Sequence, residues 1–280
     1  MASLFLLIPA SILGLIMVLS IFGTVFKSCR FYARILTAYV LLATCATYGV
    51  VASAALRIVG KASIAQWATA RAMKTLGCPI MGIDFDVEGE ELLDTRPAVF
   101  VSNHQSELDI LFLGRAFPKH CSVTAKKSLK YLPFLGWFMA LSGTVFIDRA
   151  NRQTALKAFD GAVKEIKSNK QSVWIFPEGT RSYFGKPDLL PFKKGAFHLA
   201  LQAGVPIVPV VVQNYAHVLH LQDRTFEPGT IKVKVLEPIP TKDLTPEDVE
   251  GLVTSTREAM LKEILAMGSP KPNGDLKKTD

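Results

Sequence analysis

The chain opens with two stretches that carry no charged side chain, residues 1–26 and 35–56. As helices they would reach about 39 and 33 Å, against a hydrocarbon core of about 30 Å. This pattern predicts a membrane-embedded N-terminal helical hairpin with a loop over 27–34. A cleaved signal peptide fits the first stretch less well, because it lacks a basic n-region, its apolar run is too long and a second apolar stretch follows. Pro9 and Gly14 are placed to kink or shorten the first span, and a re-entrant hairpin confined to one leaflet remains open.

From about residue 84 the pattern changes to short apolar runs alternating with helical periodicity. Runs at 98–101, 122–125, 144–147 and 173–176 read as strands. The run 205–212 reads as a buried strand with edge-type prolines, and 230–236 alternates as a half-exposed strand. Helices are predicted after Asn103 through Phe117, over 152–168 with Leu156, Phe159, Val163 and Ile166 on one face, and over 192–203. A closing helix over 244–267 takes Thr245 as N-cap and Pro246 at its first position. The uncharged run 131–147 is too short and too interrupted, by Pro133, Gly136 and Gly143, for a third span. It reads as a buried helix plus strand, with lipid or acyl-chain contact by Trp137, Phe138 and Met139 as the alternative. Strand and helix alternation of this kind predicts an α/β domain with a mixed, mainly parallel sheet and flanking helices. The organisation expected is therefore a membrane hairpin and amphipathic basic linker over 1–83, an α/β domain over 84–267 and a loose Gly, Pro and Lys-rich tail over 268–280.

Charge sharpens this division. The 280 residues carry a formal net charge of +8 and are 49% hydrophobic. Residues 1–83 hold seven basic side chains and no acidic one; from Asp84 onward basic and acidic side chains nearly balance. The excess borders the apolar stretches and forms no stripe interleaved with aromatics, so a membrane surface is expected as partner and nucleic acid is not. Both flanks of the second apolar stretch are basic, which draws them to the same side of a bilayer. Two full spans cannot satisfy that; a one-leaflet hairpin does, and orientation stays open. The cysteines Cys29, Cys45, Cys78 and Cys121 contain no CxxC pair, which argues against a zinc ribbon or a thioredoxin-type site.

Chemistry concentrates at strand ends. Segment 103–109 reads NHQSELD directly after a predicted strand. On one continuous helix residues five apart face different ways, so His104 and Asp109 meet only if the chain turns first and the helix starts near Ser106. Ser106 and Asp109 resemble a capping arrangement that permits this turn. His104 then lies at the carboxyl end of a strand, where open α/β sheets place their sites. An imidazole oriented by a carboxylate is a general base toward a hydroxyl. Taken alone, the pair reads rather as a loop histidine and a helix N-terminal charge. Three further segments change that: GTVFIDR at 143–149, FPEGTRS at 176–182, and PFKKG at 191–195, which opens a helix. They bring Arg149, Arg181 and either Lys193 or Lys194 toward one rim, where guanidinium forks and a helix N-terminus suit a phosphate. Ser106 has no G-x-S-x-G elbow around it and reads as a cap. His120, His198, His217 and His220 read as surface or structural.

The four segments NHQSELD, GTVFIDR, FPEGTRS and VPIVPVVV, in this order over residues 103–212, resemble the motifs of the glycerolipid acyltransferase family. The stretch 124–130, with Lys126, Lys127 and Lys130, resembles the family's basic segment between the first two motifs. The resemblance implies an enzyme that transfers an acyl group from acyl-CoA to the sn-2 hydroxyl of lysophosphatidic acid, giving phosphatidic acid. It implies His104 and Asp109 as the catalytic pair. It implies Arg149, Glu178, Gly179 and Arg181 around the acceptor phosphate, with Glu178 and Gly179 shaping the loop. Lys126, Lys127, Lys193 and Lys194 are the candidates for oxyanion or CoA contacts. It further implies no metal and no bound prosthetic cofactor, acyl-CoA being a co-substrate. The partners expected are acyl-CoA, lysophosphatidic acid and the lipid bilayer, and the location the endoplasmic reticulum membrane or a lipid droplet surface. Glu107 departs from the small or hydroxyl residue that relatives often carry, which bears on acceptor preference. Glycerol 3-phosphate or another lysophospholipid stays open as acceptor. A non-catalytic module binding anionic lipid and a lipid hydrolase are the alternatives of other classes.

Overall fold

The computed structural model describes residues 2–148 and 152–268. Arg149 and the tail beyond Gly268 lie outside the described residues. The chain begins with α1 (Ala2–Phe22) and α2 (Lys27–Ile58), antiparallel neighbours joined at residues 23–26. The expected loop over 27–34 is instead the first two turns of α2. The break falls earlier because Gly23 packs against the backbone of Arg30, where a Cβ would approach its Cα to 2.9 Å. Among the described residues α2 is the one helix long and apolar enough to cross a membrane by length and composition; the described apolar part of α1, Pro9–Phe22, is shorter. Only 22% of the most apolar window of α2 is buried against protein, which suggests membrane association. The helix pair exposes Leu13, Met17, Ile21, Tyr39 and Val51, an apolar surface that water alone would not favour.

Two short helices, α3 (Ala65–Ala72) and α4 (Cys78–Met81), lead into the first strand, β1 (Ile83–Glu88). Then follow β2 (Val99–Ser102), α5 (Asp109–Ala116), β3 (Cys121–Lys126), α6 (Leu135–Leu141), β4 (Val145–Ile147), α7 (Arg152–Asn169) and β5 (Ser172–Ile175). The chain closes with α8 (Gly195–Ala203), β6 (Ile207–Val212), the hairpin β7 (Leu219–His220) and β8 (Thr225–Phe226), β9 (Gly229–Val235) and α9 (Val249–Met267). Seven strands form one sheet in the order β1-β9-β6-β2-β5-β3-β4. Every pair is parallel except β6 with β9, so the sheet is mixed and mainly parallel.

Side-chain alternation along the central strands sends residues to two cores. Phe100, Trp174, Val208 and Val210 point to the face covered by α2, α3 and α5. Val99, Val101, Val173, Ile175 and Val211 point to the face covered by α7, α8 and α9. Phe100 stacks on Trp174 at 5.4 Å between ring centres, and the Trp174 indole N–H donates to Ser102 Oγ at 2.9 Å. The compositional change near residue 84 does not separate the packing: Phe31, Leu41 and Cys45 of α2 share a core with Phe85, Phe112 and Val233. Gly49 lets α2 lie close against α3 and α6, because a Cβ there would meet Phe138 at 2.6 Å and Thr69 at 2.8 Å. Arg71 of α3 donates to the carbonyls of Gly114, Arg115 and Phe117, satisfying the C-terminal end of α5.

Three expectations need correcting. The prolines of 205–212 do not mark an edge, since β6 is third in the sheet. Pro209 turns its missing donor toward β9, whose ladder stops at Val235, and its carbonyl still accepts from Leu236 at 2.9 Å. The run 131–147 does form a helix and a strand, but Tyr131, Leu132, Phe134 and Trp137 are exposed. Ser106 and Asp109 form no capping box: α5 starts at Asp109, and the Ser106 hydroxyl accepts from the Leu108 N–H at 3.2 Å. At the closing helix the cap forms as expected, with the Thr245 N–H donating to Asp248 Oδ2 at 2.8 Å.

Candidate active site

β2 ends at Ser102 between β5 and β6, so its carboxyl end is flanked by loops from both neighbours. Asn103 fastens this point to β6, donating to the Val212 carbonyl at 2.9 Å and accepting from the Val212 N–H at 2.8 Å. The chain then turns over 104–108 before α5, which brings His104 Nδ1 to 2.6 Å from Asp109 Oδ2. A carboxylate only accepts, so Nδ1 is the donor in this bond and Nε2 is turned away from Asp109. The imidazole lies flat on Phe176, 4.2 Å between ring centres and 22° from parallel, which fixes its plane.

Asp109 is 3% exposed and fully engaged. Its Oδ2 also accepts the Gln105 N–H at 2.8 Å, and its Oδ1 accepts the Tyr215 hydroxyl at 2.7 Å. Burial, reinforced by the Asp109 charge, holds the Tyr215 phenol well above its ordinary range, so it stays a donor. Its oxygen accepts the Ser106 N–H at 2.9 Å, which closes the turn from the other side. Gln105 completes the network by donating to the carbonyls of Val212 and Gln213. Ser106 is therefore committed to the turn.

The β5 loop supplies the next layer. Glu178 is 3% exposed and accepts the His104 N–H at 2.6 Å and the Leu190 N–H at 3.0 Å, clasping two loops behind the imidazole. Burial pushes its carboxyl up to about 7, the two backbone donors opposing it. Both oxygens serve the loop, so Glu178 shapes the site and is not itself a phosphate contact. Gly179 has a φ of +70°, and a Cβ there would lie 2.9 Å from Lys193 Nζ. This brings Lys193 against the loop. Lys194 points elsewhere, pairing with Glu250 of α9 at 3.2 Å. Arg181 Nη1 donates to Glu107 Oε1 at 3.0 Å, and the Tyr183 hydroxyl donates to the same oxygen at 2.8 Å. Lys127 pairs with Asp148 at 3.1 Å, two strands away from β2, and Lys126 is exposed at the end of β3. Among the described residues no three His, Cys, Asp or Glu side chains are placed to hold a metal ion.

His104, Asp109, Glu178, Gly179, Arg181 and Lys193 thus come together. Tyr215, Gln105 and Phe176 complete the site; Gln105 and Phe176 lie inside NHQSELD and FPEGTRS without having been singled out there, and Tyr215 lies outside every motif. Tyr215 lies just past the carboxyl end of β6, and the rule that open sheets place sites at such ends is the one signal that points to it. Of the other histidines, His120 bonds Ser63, His220 pairs with Asp223 and His198 is exposed.

An acyltransferase family model matches residues 84–213, which contain this arrangement except for Tyr215. The chain is 46% identical over 244 residues to the 1-acyl-sn-glycerol-3-phosphate acyltransferase of Saccharomyces cerevisiae, covering 87% of this chain and 80% of that protein. The chain belongs to the acyltransferase family. The human 1-acyl-sn-glycerol-3-phosphate acyltransferase beta is 39% identical over 256 residues, 89% of this chain and 88% of the relative. Among solved structures the 1-acyl-sn-glycerophosphate (LPA) acyltransferase of Thermotoga maritima superposes with a TM-score of 0.63 at 28% identity, over 86% of this chain and 95% of that one. In this chain the His104 imidazole oriented by Asp109 is the candidate general base.

Proposed function

We propose that this acyltransferase moves the acyl group of acyl-CoA to the sn-2 hydroxyl of 1-acylglycerol 3-phosphate, giving phosphatidic acid and free CoA. The observation that carries the reading is the His104–Asp109 pair at 2.6 Å beside the Arg181 guanidinium, in a chain with relatives named for this activity. His104 Nε2 takes the proton of the sn-2 hydroxyl as that oxygen attacks the thioester carbonyl. The C–O bond forms, the C–S bond breaks, and the imidazolium returns its proton to the departing thiolate. Asp109 stabilises the imidazolium, and the donors from Gln105 and Tyr215 keep its carboxylate aligned through both transfers. A thiolate leaves readily, so direct attack needs no acyl-enzyme, metal or prosthetic group.

Arg181, with Arg149, is assigned to the acceptor's phosphate, and Lys193 or the β3-end lysines to the oxyanion or CoA. The α1–α2 pair is assigned as a hairpin anchor in the endoplasmic reticulum membrane, which sets the site beside the bilayer that holds the acceptor's chain. A side-by-side panel of lysophosphatidic acid, glycerol 3-phosphate and lysophosphatidylcholine with labelled acyl-CoA tests the reading. Turnover is expected to favour lysophosphatidic acid. Preference for another acceptor would reassign it.

A further inference from the structure

Glu107 sits in the turn between His104 and Asp109 but takes no part in the catalytic pair. Its Oε1 is shared by Arg181 and Tyr183, while its Oε2 is buried without a partner. The Arg181 Nε is buried without a partner as well. A guanidinium fork and a carboxylate normally join through two parallel bonds, and that geometry is the strong one. Here the fork makes one bond to the carboxylate, has the Tyr183 hydroxyl as its other side-chain partner, and leaves Glu107 Oε2 and Arg181 Nε unused. Both side chains are 36% exposed, so the pair lies open on one side to an incoming ligand.

Tyr183 holds the arrangement from a strained position. Its φ is +52°, in the left-handed region that bulky residues rarely adopt. The turn stays there because Ser182 N–H donates to the His104 carbonyl at 2.9 Å and Tyr183 N–H to the Gln105 carbonyl at 3.0 Å. Strain of this kind persists where surrounding contacts over-determine it, and it gathers at ligand sites. Its effect here is to tie the Glu107–Arg181 contact to the two residues that carry the catalytic turn.

We infer that Glu107 is an acceptor-specificity residue: it pairs with the Arg181 guanidinium and yields it to the acceptor's phosphate. The inference rests on the assignment of Arg181 to that phosphate. A phosphate monoester brings a charge of about −1.5 to −2 and three acceptor oxygens, enough to replace the one carboxylate oxygen at the exposed part of the guanidinium. A singly charged phosphodiester or a carboxylate gains less from the exchange. Glu107 therefore acts as a threshold that weak anions do not pass, a repulsive element of specificity.

The test is steady-state kinetics of wild type and Glu107→Gln in detergent, with KM measured separately for lysophosphatidic acid and acyl-CoA. Inhibition by glycerol 3-phosphate serves as a headgroup probe. An exposed ion pair is worth up to about 1 kcal/mol, so the KM for lysophosphatidic acid is expected to fall roughly two- to fivefold. Glycerol 3-phosphate should inhibit more tightly by a similar factor, and the KM for acyl-CoA should not move. Glu107→Asp, which restores the charge, should bring both values back toward wild type. Should Glu107→Gln not fold, Glu107→Ser is read the same way. A KM for lysophosphatidic acid that is unchanged or raised in the charge-removing variant overturns the inference while leaving the proposed reaction intact. A wild type that does not acylate lysophosphatidic acid overturns that reaction and the inference with it.

Discussion

Two carboxylates two residues apart in one turn have opposite circumstances. Asp109 is 3% exposed, and its oxygens accept from an imidazole, a backbone N–H and a phenol. Glu107 is 36% exposed, shares one oxygen between two donors and leaves the other idle. A saturated buried network is rigid, because moving any member leaves a polar group unpaired. A half-used, exposed pair is weak and exchangeable. The site is thus preorganised where charge develops during reaction, and replaceable where a ligand must enter.

The largest effect should come from the rigid end. His104→Ala removes the base, and kcat is expected to fall about 10²- to 10⁴-fold with an unchanged circular dichroism spectrum. Retained turnover would place the chemistry elsewhere. Next is Glu178, whose carboxyl is raised from 4.5 to about 7 by burial. Because the folded state binds its proton more tightly, this group's contribution to stability is complete below about pH 4.5 and is lost as pH rises through 7. The shift corresponds to about 3 kcal/mol at most. Melting of wild type should therefore fall more steeply between pH 5 and pH 8 than melting of Glu178→Gln, and parallel slopes would remove Glu178 from the account. Tyr215→Phe deletes one donor to the Asp109 charge and should lower stability by about 1.5–3 kcal/mol, measured by denaturant unfolding, together with kcat. A variant as stable and as fast as wild type would mean that the network is not saturated in the way its distances imply. The smallest effect belongs to Glu107→Gln, a severalfold fall in acceptor KM, opposite in direction to the losses at the rigid end.

Much of the sheet was legible because its strands are short apolar runs closed by turn residues, and all six expected strands form at their positions within a residue or two. Helix geometry set the condition for His104 and Asp109 to meet, a turn before the helix, and the structure contains that turn. What stayed hidden depends on partners distant in sequence. Tyr215 lies 106 residues from Asp109, and no local pattern marks it as a donor. The start of α2 is set by the approach of Gly23 to Arg30, and the place of Pro209 inside the sheet by where β9 stops. The exposure of Tyr131 and Trp137 could not follow from hydrophobicity, which predicts burial in protein and contact with lipid equally well.

The separation of the two ends is tested most directly by Arg181→Gln, assayed for kcat and for the KM of lysophosphatidic acid. Losing charged hydrogen bonds to a phosphate should raise that KM roughly 10- to 100-fold and lower kcat far less. A collapse of kcat with an unchanged KM would contradict the account, because Arg181 would then belong to the reacting centre and not to the exchangeable end.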